Sequence, residues 1–180
     1  MLYTYKECID KYKSNYEISK LLKNGSLYRI DKGIYSDNRY ENELAIINKL
    51  YPNAVFTLNS AFYYHGFTDV IPKGYYLLTN KDFTKIKDKR IIQFFDNNDS
   101  LGIGVENIIY NGIEISVFNK ERMLIELIRN KNKFSFDYYK EIINNYRKLI
   151  HELDIEAIQE YAYRLPKTNF VLNTLQLEVF

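Results

Sequence analysis

Ser14–Tyr35, reading SNYEISKLLKNGSLYRIDKGIY, most limits what this chain can fold into. Ser14 and Glu17 stand three apart, the spacing at which a hydroxyl and a carboxylate satisfy orphan amides at a helix N-terminus. Ile18, Leu21 and Leu22 then fall at i, i+3 and i+4, one apolar stripe on a short helix. Tyr16, Ser19, Lys20 and Lys23 take the other side. Gly25 follows at once, the residue that ends a helix cheaply in the left-handed region. Leu27–Ile30 and Ile34–Ser36 read as two short strands about Asp31-Lys32-Gly33, a tight turn. A short helix running straight into a β-hairpin is the recognition helix and wing of a winged helix-turn-helix. Such a helix offers polar side chains to base edges, and flanking basic residues meet phosphate. The candidate DNA-contacting residues are therefore Tyr16, Ser19, Lys20 and Lys23 on the helix, with Arg29 and Lys32 on the hairpin.

Thr4 and Glu7 repeat the cap spacing and open a helix through about Tyr12. Only Met1–Tyr3 stand ahead of it, where a winged helix ordinarily has a further helix. The module is thus expected to be a partial winged helix over residues 1–40, with the boundary in the turn near Asp37–Tyr40.

Residues 41–180 read as a mixed α/β domain. Glu41–Leu50 is a helix stopped by Pro52, Ala54–Phe56 a short strand, and Leu58–His65 a buried helix closed by Gly66. Gly74–Thr79 and Ile91–Asp96 are strands apolar enough for a covered sheet. Asn111-Gly112 between Val105–Tyr110 and Ile113–Phe118 demands a type I′ hairpin turn. A helix from Asn119 or Lys120 to about Arg129 follows, with Met123, Leu124, Leu127 and Ile128 inward. Beyond Phe136 the pattern is helical: Asp137 caps one helix, Asp154 a second ending before Pro166, and Thr168–Val179 forms a third. The fold class is α+β, a partial winged helix-turn-helix followed by an α/β domain with a β-hairpin and C-terminal helices.

The residues needed for most catalytic chemistry are missing. Two histidines and one cysteine, Cys8, cannot assemble a usual zinc site, and a lone cysteine excludes an internal disulfide. Ser60 lies in no G-x-S-x-G elbow, and Gly102-Ile103-Gly104 lacks the third glycine of a dinucleotide fingerprint. No acid-x-Lys pair marks a nuclease strand. Gly25-Ser26 is followed by Asp37-Asn38-Arg39 rather than the paired acids of a nucleotidyltransferase. The expectation is no enzyme, no catalytic residue, no metal and no cofactor. No secretory leader or membrane span is read, which fits a cytoplasmic protein. Net charge is only +2, so a claim of nucleic-acid binding must rest on local clusters. Besides the N-terminal set, Lys120, Arg122, Arg129, Lys131 and Lys133 form a candidate basic patch on the larger domain.

Three segments, in order, carry a resemblance. Gly25, Leu27, Arg29, Ile30, Gly33 and Tyr35 spell a G-x-L-x-R-I-x-x-G-x-Y hairpin. Ser60-Ala61-Phe62-Tyr63-Tyr64-His65-Gly66-Phe67, followed by Pro72 and a strand, is similar to S-A-L-x-x-H-G-[LF]. Glu121-Arg122-Met123-Leu124-Ile125-Glu126 is similar to E-R-T-L-x-D, with Glu126 in place of Asp. Together they resemble the AbiEi-type antitoxins of type IV toxin–antitoxin (abortive infection) systems. The resemblance implies a winged helix that binds operator DNA and represses its own operon; because one such module would bind weakly, useful specificity would require two copies, a dimer on an inverted repeat. It also implies a larger domain that antagonises a co-encoded nucleotidyltransferase toxin. An alternative from another class is a protein-interaction module without DNA binding, favoured by the missing helix and the small net charge. An enzyme with no recognisable motif ranks last.

Overall fold

Both cap spacings start helices. Thr4 caps α1 (Tyr5–Tyr12): its hydroxyl accepts the Glu7 amide at 3.3 Å, and the Glu7 carboxylate accepts the Thr4 amide at 2.6 Å. Ser14 caps α2 (Asn15–Lys23) with its hydroxyl, which accepts the Glu17 amide at 3.2 Å. The Glu17 carboxylate does not complete that box; it lies 3.8 Å from Lys20 Nζ. The structure is a computed structural model that describes residues 1–180, the side chain of Asn98 excepted.

The residues ahead of α1 hold a strand that the sequence did not announce. Leu2–Thr4 form β1, which pairs antiparallel with β3 (Ile34–Ser36), while β2 (Tyr28–Asp31) pairs with the other edge of β3. The wing is therefore part of a three-stranded sheet in the order β1-β3-β2. A two-stranded hairpin alone is marginal in water, and the third strand relieves that. Tyr3, Cys8, Ile18, Leu27 and Tyr35 make the buried core here, with Ile9, Tyr12, Leu21 and Leu22 packed half-buried against it. Leu27 is 1% exposed. Leu27→Ala should therefore cost about 2–5 kcal/mol in urea melts, whereas a loss under about 0.5 kcal/mol would mean that the wing is not packed on α2.

A third helix, α3 (Glu43–Leu50), is capped by Asn42 Oδ1, which accepts the Leu44 amide at 2.9 Å. It packs on β1 and β3 and buries Leu44, Ile46 and Ile47. The chain divides into two compact units between Asn53 and Ala54, so the division falls after α3 rather than before it.

The second unit holds β4 (Val55–Phe56), α4 (Leu58–Tyr64), β5 (Tyr75–Asn80), β6 (Ile91–Asp96), α5 (Asn98–Leu101), β7 (Val105–Tyr110) and β8 (Ile113–Phe118). The helices α6 (Lys120–Arg129), α7 (Phe136–Leu149), α8 (Ile155–Arg164) and α9 (Thr168–Glu178) follow. The sheet order is β6-β5-β4-β8-β7, with β5–β6 and β4–β8 parallel. Asn111 and Gly112 turn the β7–β8 hairpin at φ 49° and 78°, the positive values a type I′ turn requires. The fold as a whole is α+β, as the pattern of short strands and amphipathic helices implies.

Helix α6 is the centre of this unit. Met123, Leu124, Ile125, Leu127 and Ile128 are all fully buried, and α4, α8 and α9 pack around them. The apolar side chains cover more than half of its circumference, and the remaining stripe, Arg122 and Glu126, is buried as well. Asn119 caps it, its Oδ1 accepting the Arg122 amide at 2.9 Å. Helix α7 is capped by Ser135 rather than by Asp137. The Ser135 hydroxyl accepts the Tyr138 amide at 3.4 Å, and Asp137 sits in the first turn, where a negative charge suits the helix dipole.

His65, just past α4, is a structural side chain. Its Nε2–H donates to the Phe118 carbonyl at 2.7 Å, and burial holds its pKa below the ordinary 6.5. The unfolded chain therefore takes up a proton first as pH falls through about 6.5, so stability should be flat above that pH and decline below it. His65→Gln should remove that slope between about pH 6.5 and 5 in urea titrations, above the range in which carboxylates titrate. An unchanged slope would clear His65 of the effect.

Candidate nucleic-acid interface

The helix periodicity of α2 fixes what its outer face carries. Ile18 turns to the core, so Tyr16, Ser19, Lys20 and Lys23 are left to solvent. All four are exposed, Tyr16 to 75%, and together with Asn24 they line one shallow depression. No carboxylate lines it; that of Glu17 stands beside it, 3.8 Å from Lys20 Nζ. A phenol, a hydroxyl, an amide and two ammonium groups on one face can donate to phosphate oxygens and reach base edges. Asn24 is the one member that sequence reasoning misses, because it serves as the helix C-cap. Its Oδ1 is engaged by the Ser26 amide at 3.0 Å.

Arg29 lies exposed on β2, and Lys32 is exposed at the tip of the turn, where its amide donates to Asp31 Oδ1 at 2.6 Å. The backbone is irregular between Arg29 and Asp31, the register slipping by one residue against β3. The wing thus offers two exposed cations, and the first unit holds every residue of the candidate DNA-contacting set.

The expected basic patch of the larger domain does not form. Arg122 is completely buried: its Nε donates to Glu126 Oε1 at 3.0 Å and its Nη1 to the carbonyls of Ser100 and Ile103 at 2.9 and 3.3 Å. Burial pulls its pKa down while the Glu126 carboxylate opposes the shift. Arg129 Nη1 donates to the same Glu126 oxygen at 2.6 Å, and Lys131 is held by Glu178. Lys120 is half-buried, and the exposed Lys133 stands 5.7 Å from the Phe94 ring. For Arg122 and Arg129 the reason is the position of α6: on a buried helix, cations reach the interior and must be paired there. Gly102-Ile103-Gly104, no dinucleotide fingerprint, serves this arginine instead. Gly104 has φ +69°, and a Cβ there would come within 2.7 Å of Arg122 Cβ.

Ser60 is likewise structural, buried with its hydroxyl accepting the Tyr76 amide at 2.9 Å. Among the described residues no group of three or more His, Cys, Asp or Glu could hold a metal ion, and no helix is long and apolar enough to cross a membrane. No protein-family model matches the chain, and no curated protein sequence matches it.

Proposed function

We propose that this chain is an AbiEi-like antitoxin that binds operator DNA through α2 and the wing, represses its own operon, and antagonises a co-encoded nucleotidyltransferase toxin in the cytoplasm. The observation that carries the DNA reading is the depression on the outer side of α2, lined by Tyr16, Ser19, Lys20, Lys23 and the cap residue Asn24, with Arg29 and Lys32 exposed on the adjoining sheet. The antitoxin reading rests on the resemblance of the three ordered segments. One face with a few cations grips DNA weakly, so useful specificity calls for two copies on an inverted repeat.

The test of antitoxicity is co-expression of the full chain with the nucleotidyltransferase encoded beside it. Growth should be restored to that of cells without the toxin. Continued toxicity with a folded, well-expressed chain would refute that half of the reading. The small net charge and the internal pairing of Arg122, Arg129 and Lys131 favour a second reading, a protein-interaction module without DNA binding. Under that reading the chain shows no preference for its own upstream region.

A further inference from the structure

Strand β7 ends the order of the five-stranded sheet and pairs with β8 alone. Tyr110 and Ile113 flank a two-residue turn and therefore exchange both backbone hydrogen bonds. The alternation that follows turns the amides and carbonyls of Val105, Asn107 and Ile109 to the outer edge. Proteins blunt such edges with lysine, proline, a bulge or a covering loop. VENIIY has no lysine or proline and keeps register with β8 over its whole length. Its one charge, Glu106, belongs to the opposite face and lies 3.8 Å from His65 Nε2. Ile109 is 79% exposed and Val105 38%, both on the face shared with Asn107, whose Oδ1 is taken by the Ser116 hydroxyl at 2.8 Å.

We propose that β7 is the seam of a dimer, pairing antiparallel with β7 of a second copy about a two-fold axis at Asn107. That register alone sets all three outward-turned residues, Val105, Asn107 and Ile109, opposite outward-turned residues of the second copy. Val105 faces Ile109 of the second copy, and the reverse pair repeats it, covering two exposed apolar side chains each time. Glu106 faces Ile108, so no like charges meet. About six backbone hydrogen bonds form across the seam, and the two sheets become one. The seam is independent of the DNA reading and is tested with no DNA present.

Sedimentation of the full chain decides it. The weight-average mass of the wild type should rise from 21.6 kDa toward twice that value between about 1 and 100 µM. Val105→Lys with Ile109→Lys sets like charges opposite each other and should raise the dissociation constant about tenfold or more. Val105→Glu with Ile109→Lys sets opposite charges in the same register and should restore the dimer. A wild type monomeric throughout, a lysine pair that dimerises like the wild type, or a Glu/Lys pair that fails to recover would each overturn the seam. Should a variant misfold by circular dichroism, amide exchange in the wild type gives the answer. The amides of Val105, Asn107 and Ile109 should slow with rising concentration; rates independent of concentration contradict the proposal.

Discussion

Glu126→Ala is expected to destabilise the protein by about 3–5 kcal/mol. Glu126 Oε1 accepts from Arg122 Nε at 3.0 Å and from Arg129 Nη1 at 2.6 Å, and it lies 2.8 Å from Arg122 Nη2. Its Oε2 accepts from Asn130 Nδ2 at 3.0 Å. Without it the buried Arg122 guanidinium keeps two carbonyls and one more distant carboxylate, Asp96, at 3.7 Å. A buried charge left without its partner is costly, whereas an apolar pair of similar volume is often tolerated. Arg122→Met with Glu126→Leu should therefore recover most of what Glu126→Ala loses. Urea unfolding of Arg122→Met, Glu126→Leu and the variant carrying both measures the coupling directly. A Glu126→Ala loss below about 1 kcal/mol would mean that water reaches the pair and screens it as on a surface.

That ion pair also marks where the sequence stops being legible. Arg122 and Glu126 stand at i and i+4, a spacing visible in the chain, but the same spacing decorates exposed helices. What encloses Arg122 is the chain from Asp96 to Gly104, which supplies the Ser100 and Ile103 carbonyls and the Asp96 carboxylate from some twenty residues upstream. Strand β1 escaped for a related reason. Three residues are too few to show a period of two, and its partner β3 lies far downstream, Leu2 opposite Ser36. The local signals carried further. Asn111-Gly112 fixed the β7–β8 turn, since few residues but these accept positive φ, and Asn119 and Asp154 start α6 and α8 as their side chains allow. Ser135 took the cap expected of Asp137 because either residue type serves and only the chain path decides between them.

The outer face of α2 was legible for a simple reason. Once Ile18 is inward, a period of 3.6 places Tyr16, Ser19, Lys20 and Lys23 outward whatever surrounds them. Lysines 20 and 23 carry the second large prediction. Lys20→Glu with Lys23→Glu replaces two exposed cations of the outer face with anions. It should weaken binding to the chain's own upstream DNA by about a hundredfold or more, near tenfold for each charge-assisted hydrogen bond to phosphate that is removed. The fold should hardly notice. Both side chains are exposed, and the Lys20–Glu17 pair is a surface pair of little worth.

The most direct measurement of the central claim is fluorescence anisotropy of the chain on its own upstream DNA and on a scrambled duplex, across a salt series. DNA reading by α2 predicts a preference for the upstream duplex. It also predicts a slope of log K against log salt of about −3 to −4 per copy, from three or four phosphate contacts, and loss of both in the doubly reversed variant at unchanged melting temperature. Equal affinity for the two duplexes, or reversed lysines that bind as the wild type does, would contradict it and leave α2 and its wing as a surface for protein.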